Sequence, residues 1–304
     1  MAVTNEMDYT YAVARIRANE LSLLGAADVE QLLSAPDSAA AESLLAAKGY
    51  AMGLGLHAAL NEKAAETWRL IAEILPRREG ARPGTGELDF LLVKNDFHNL
   101  KARLKAMFTG GAPEAYLMFP TVFGDGELGE ALLSKRFVEL PECMAGCARE
   151  AYELLAKTMD GQLADALIDR QCLETILSMA RAARSEFLLG LAEKMCAFAN
   201  AKIALRAERT GKGQAFLDRA LCNCPPVDLP EEARRSGAAL EKYCDDALIG
   251  YVSPAKGAYF GIAPLVAYVL AKEAELQTVR IVMTCRKNAV PAETIRRRVR
   301  LLYV

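Results

Sequence analysis

Histidine is almost missing from this chain: His57 and His98 are the only two among 304 residues. Catalysis built on a Ser/His or Cys/His pair therefore has little to draw on. The apolar setting "GLGLHAAL" predicts a packed His57, and His98 lies on a basic face where no carboxylate is expected to partner it. An excess of charge is missing too, since 37 basic and 39 acidic residues leave a formal charge of -2. No global field selects a nucleic acid or an anionic membrane, so any basic site must be local.

Long apolar runs are also absent. The most apolar window, "GIAPLVAYVLA" at 261–271, is about half the ~20 residues needed to span a bilayer and contains Pro264. The opening "MAVTNEMDYTYAVARIRANE" lacks the basic start and apolar run of a secretory leader, so no export is expected.

Eight cysteines stand at 143, 147, 172, 196, 222, 224, 244 and 285 with no C-x-x-C pair. In the reducing compartment expected here they read as buried small hydrophobes or free thiols rather than zinc ligands. "PGTG" and "TGKG" lack the spacing and strand-to-helix context of a phosphate loop, and read as turns and helix stops. Asp245 and Asp246 in "YCDD" would suit a magnesium-dependent helical enzyme acting on prenyl-like substrates if a second acidic cluster faced them. None is evident, and a solvated helix turn is the plainer reading. Arg296, Arg297, Arg298 and Arg300 gather at the end of the last predicted helix, where cations suit the helix dipole.

Runs of alternating β-branched residues are missing, and nearly every long segment has a helical period, which predicts an all-α protein. Expected helices cover 10–24, with an apolar face of Tyr11, Ala14, Ile16, Leu21 and Leu24, then a short helix capped by Asp28 and ended by Pro36. Others cover 58–75, 89–108, 142–159, 161–177, 181–209, 213–220, 240–249, 264–286 and 292–303. Irregular connections are expected at "PRREGARPGTG", at 109–130 and at "CNCPPVDLPEEA".

An internal repeat is the most informative feature. "FHNLKARLKAMFTG" at 97–110 matches "FANAKIALRAERTG" at 198–211 in seven of fourteen positions, and "AELQTVRIVMTCRKN" is a looser third copy containing Glu275 and Arg280. In the first copy Phe97, Leu100, Leu104, Met107 and Phe108 form an apolar stripe. Beside it Lys94, His98, Lys101 and Lys105 form a row of like charge, which repels by a few tenths of a kcal/mol per pair. Lys202, Arg206 and Arg209 repeat the row, and Arg280 and Lys287 echo it. The row faces either solvent or an acidic partner.

Across its length the chain resembles the C-type subunit of prokaryotic V-type ATPases and ATP synthases, the counterpart of the eukaryotic d-type subunit. The resemblance rests on "YTYAVARIRANELSLL", on the D-x-x-N-x-K pattern of Asp96, Asn99 and Lys101, and above all on the C-terminal block. That block carries Tyr268, Lys272, Glu273, Glu275, Arg280, Ile281, Glu293, Ile295, Arg296, Arg300, Tyr303 and Val304. The second copy departs from the pattern, with Ala197 where the first has Asp96.

The resemblance implies three pseudo-repeated helical lobes around a pseudo-threefold axis, shaped as a funnel. Their approximate bounds are 1–112, 113–212 and 213–304, with the N-terminal helix free to pack on the C-terminal lobe. It implies a non-catalytic rotor part with no cofactor or metal, on the cytoplasmic side and peripheral to the membrane. Its partners would be the central-stalk shaft subunits and the membrane proteolipid ring, and the torque it passes would serve proton or sodium transport. Lys94, Lys101, Lys105, Lys202, Arg206 and Arg280 are the candidate partner contacts. An unrelated all-α scaffold and the magnesium enzyme are the alternatives.

Overall fold

The computed structural model describes residues 6–75 and 86–304, which form fourteen α-helices and no strand. In chain order these are α1 (Thr10–Glu20), α2 (Ala26–Ser34), α3 (Ser38–Ala47), α4 (Leu56–Ile74), α5 (Asp89–Thr109), α6 (Asp125–Leu133) and α7 (Glu142–Thr158). They continue as α8 (Gly161–Ala182), α9 (Glu186–Arg209), α10 (Gln214–Ala220), α11 (Glu231–Arg234), α12 (Gly237–Val252), α13 (Ala263–Lys287) and α14 (Ala292–Arg296). The expected all-α class is the observed one. Most of the loop "PRREGARPGTG" lies outside the described residues.

The chain divides into two compact units, one from Met1–Ala81 with Leu229–Val304 and the other from Arg82–Asp228. The first is built around α13, which packs against α1, α2, α3, α4, α12 and α14. A helix with neighbours on all sides must be apolar all round. The segment 264–272 is accordingly buried without a break, which explains the apolar window as a core helix. Among the described residues no helix is long and apolar enough to cross a membrane. Leu32, Leu45, Leu60, Val279, Val282 and Ile295 close one contiguous core around it. In the second unit α8 is central, packed on α5, α7, α9 and α10, while α5 also carries α6.

Local chemistry sets the helix ends. Asp37, Asp160, Ser185 and Ser236 each accept an N–H of the first turn of the helix they precede, a role their short polar side chains suit. Gly110 and Gly211 follow α5 and α9 with φ of 68° and 66°, a left-handed step that glycine takes at no steric cost.

Several expected details are corrected. The buried face of α1 is Ala12, Val13 and Ile16, continuing Tyr9, whereas Tyr11 and Leu21 are exposed. The 9/12/13/16 spacing is the true i, i+3, i+4, i+7 stripe, and Leu21 falls beyond the helix. Asp28 is not the cap of α2 but its third residue, reaching back to accept the Gly25 N–H at 2.9 Å. The stretch 109–130 ends inside α6, and α3 lies where the sequence pattern predicted no helix. His57 is exposed on the first turn of α4 and accepts from Asn61 Nδ2 at 3.2 Å, because the apolar residues around it turn to the other side. The last predicted helix stops at Arg296, and the final residues leave helical structure to be held by side chains from α12 and α13.

Candidate partner interface

The D-x-x-N-x-K pattern sits within α5, and its Asp96 and Asn99 are buried at the edge of the apolar stripe. Asp96 is 2% exposed and Asn99 is fully buried, beside Phe97 and Leu100. Buried polar groups need partners, and the irregular strap at 116–123 supplies them. Asp96 accepts the N–H groups of Val122 and Phe123 at 2.9 and 2.8 Å. Asn99 donates to Met118 O at 3.0 Å and accepts Met118 N–H at 2.7 Å, a two-point clip. Asn95 donates to Pro120 O at 2.8 Å, and His98 Nε2 lies 2.9 Å from Tyr116 O. The acceptor there is a carbonyl, so Nε2 carries the proton. Burial pushes the Asp96 carboxyl up to about 6, against the pull of the two backbone N–H groups.

Sequence reasoning missed the acid that completes this network. Asp125, at the start of α6, accepts from Asn99 Nδ2 at 3.2 Å and pairs with the Arg103 guanidinium. A visible signal existed, because Arg103 stands one turn after Asn99, on the side of α5 opposite the lysine row.

The clip recurs in full in the second copy and as a single bond in the third. Asn200 of α9 donates to Cys222 O at 2.8 Å and accepts Cys222 N–H at 3.1 Å. In α13, Thr278 Oγ1 accepts the Arg300 N–H at 3.3 Å. Placing Asn99, Asn200 and Thr278 in register puts Asp96, Ala197 and Glu275 three residues earlier and Lys101, Lys202 and Arg280 two residues later. In each case the clipped residue lies 19 to 22 positions downstream. Asn200→Ala should cost about 1–3 kcal/mol by leaving the Cys222 amide without its partners. Faster amide exchange at Cys222 in the variant would check this, and unchanged exchange would contradict it.

The candidate cations do not share one setting. Lys101 and Lys105 meet Asp169 and Asp165 of α8 at 2.6 Å each, so an acidic i, i+4 row on α8 receives the basic i, i+4 row of α5. The Lys101 pair is the more enclosed, with its ammonium side chain 22% exposed against 48% for Lys105. Lys94 and Lys202 are half-buried, while Arg206 in the last turn of α9 and Arg280 on α13 are exposed.

The C-terminal block works inward. Glu275 accepts from Lys272 Nζ at 2.7 Å, from the Tyr50 hydroxyl and from the Leu24 N–H at 2.8 Å, all within the core of the first unit. Arg17 of α1 donates to the carbonyls of Ala255 and Ala258 at 2.6 Å each and pairs with Glu20. Arg300 is buried against Asp245 at 2.7 Å, and Asp246 accepts from Lys242 and from the Leu301 N–H. Asp245 and Asp246 are therefore neither a solvated turn nor a free acidic pair, because the chain end is folded onto them. Arg296 makes a forked pair with Glu30 at 2.8 and 2.9 Å, at an exposed site where such pairs contribute little.

Between α7 and α8 an open groove of about 760 Å³ is lined by Arg149, Arg170, Glu150, Glu153 and Glu174. Its charges are mixed, and Arg170 is already paired with Glu174 at 2.8 Å. Among the described residues no group of three or more His, Cys, Asp or Glu is placed to hold a metal ion.

A comparison with curated proteins gave no match. A family model described as ATP synthase (C/AC39) subunit matches residues 12–227 and again 225–298, and so covers nearly the whole chain, including the helix side of all three clips. The chain belongs to the ATP synthase (C/AC39) subunit family.

Proposed function

We propose that this chain is the non-catalytic coupling component of a prokaryotic V-type ATPase or ATP synthase. It joins the central-stalk shaft subunits to the membrane proteolipid ring, on the cytoplasmic side, and passes torque for proton or sodium transport between them. The family match over residues 12–298 carries this reading. The recurring clip on α5, α9 and α13 supports three pseudo-repeated lobes, taken as 1–112, 113–212 and 213–304, around a pseudo-threefold axis in a funnel. A torque-bearing part needs stiffness, which close packing provides. Clips and ion pairs that fix irregular straps to long helices add to it.

Lys94, Lys101, Lys105, Lys202, Arg206 and Arg280 are the proposed partner contacts. Arg206 and Arg280 are the most informative pair to change, because Lys101 and Lys105 also hold α8 in place. Affinity purification of the native complex through this chain should recover shaft and proteolipid subunits. Charge reversal at Arg206→Glu with Arg280→Glu should lower that recovery about tenfold or more, as expected when rim charges guide and hold association, with unchanged melting. Recovery of neither partner by the wild-type chain would sink the coupling role. Full recovery by a folded double variant would sink the contact assignment alone.

A further inference from the structure

The first copy grips its strap with Asp96 as well as Asn99, whereas the second has Ala197 in place of the acid. Three thiols gather around the remaining clip. Cys196 stands one helical turn before Asn200 on α9, within electrostatic reach of Cys222 and Cys224 on the strap. Asn200 Nδ2 lies 3.3 Å from Cys224 Sγ, and Cys196 Sγ lies 3.5 Å from Leu173 O. Cys196 is fully buried, Cys222 is 5% exposed and Cys224 lies partly open at the rim. All three are free thiols.

We propose that Cys196 and Cys222 are a reversible dithiol/disulfide pair, oxidised by a peroxide, that locks the strap after α10 onto α9. The adjoining Cys196 and Cys224 thiols hold the Cys222 thiol below its usual range against the cost of burial, while Cys196 beside it is pushed up and stays protonated. Cys222 thiolate attacks one peroxide oxygen, the O–O bond breaks, and a sulfenic acid forms with release of hydroxide. The Cys196 sulfur then attacks the sulfenic sulfur, the S–O bond breaks, and the Cys196 proton leaves with the departing oxygen as water. Two thiols are oxidised by two electrons and one peroxide is reduced to two waters. A bridge from Cys222 to Cys224 would join neighbours on one strap and fasten nothing. A bridge to Cys196 supplies the second attachment that Ala197 cannot. The redox lock is independent of the rotary role.

Peptide mapping of the full chain tests it. The reduced protein is treated with a few equivalents of hydrogen peroxide, denatured, alkylated with iodoacetamide and digested with trypsin. Six of the eight cysteines should then be alkylated. The peptide 195–202 should appear joined to 220–234, lighter by two hydrogens than the pair, and dithiothreitol should restore all eight. Cys196→Ser and Cys222→Ser should each abolish the linked species, and Cys143→Ser should not. Amide exchange at Cys222 should slow roughly tenfold on oxidation, as for an added native-state constraint. Eight alkylated cysteines after peroxide, a bridge confined to 220–234, irreversible sulfinic or sulfonic products, or a bridge without slower exchange would each overturn the proposal. If a serine variant fails to fold, the wild-type map decides.

Discussion

Glu275→Ala should be the most damaging single substitution in the first unit, lowering its stability by about 3–5 kcal/mol, the usual effect of removing one partner of a buried ion pair. Glu275 is 1% exposed and Lys272 7%. Without the carboxylate, the Lys272 ammonium, the Tyr50 hydroxyl and the Leu24 N–H lose their acceptor together. Burial next to this carboxylate also pushes the Tyr50 phenol above its ordinary range, so the hydroxyl stays a donor. Lys272→Met should cost less, because the stranded Glu275 carboxylate keeps two hydrogen-bond donors and can be neutralised by taking up a proton. Chemical denaturation followed by hydrogen exchange in α13 would check both. A loss below about 1 kcal/mol for Glu275→Ala would show that the pair does not anchor this unit.

Asp96 gives the second large effect, and it has a pH signature. Asp96→Ala strands two buried N–H donors and should cost about 2–4 kcal/mol near pH 5. Asp96→Asn keeps one acceptor and should cost about half as much. In the wild type, burial raises the folded-state value to about 6 from an ordinary 3.8. Between those two values the folded state binds more protons than the unfolded one, so stability falls as pH rises through that window and levels off above it. Below the unfolded value the two states are equally protonated and the slope vanishes. The second unit should therefore be more stable near pH 4 than near pH 7 by roughly 2–3 kcal/mol from this group. Both variants should lose that part of the slope. A slope kept in Asp96→Asn would assign it to another group.

Glu275 and Asp96 stand in patterns of different legibility. Asp96, Asn99 and Lys101 are visible as a pattern, and the repeat of Asn99 at Asn200 is visible by eye. Their partners are not, because Val122, Met118 and Cys222 are held through backbone atoms, which any residue possesses. The thiol cluster shows the same limit: "CNC" is legible, but Cys196 meets it only because α9 and the strap run side by side. His57 and the α1 face were misread for a simpler reason. In short or Ala-rich helices many residues are compatible with more than one face, and the neighbour that is present decides which face is buried.

Sequence by itself determined the helical class, the absence of a membrane-spanning helix length, the repeat and the family resemblance, because periodicity, length and pattern are local properties of a chain. Tertiary structure decided what the charged residues do. It turned Lys101 and Lys105 toward the aspartates of α8, buried Arg300 against Asp245, and made Glu275 the acceptor for residues more than 200 positions away. A charge is recognisable from one residue, whereas its partner depends on which surfaces meet, and hydrophobic burial brings those surfaces together without regard to distance along the chain.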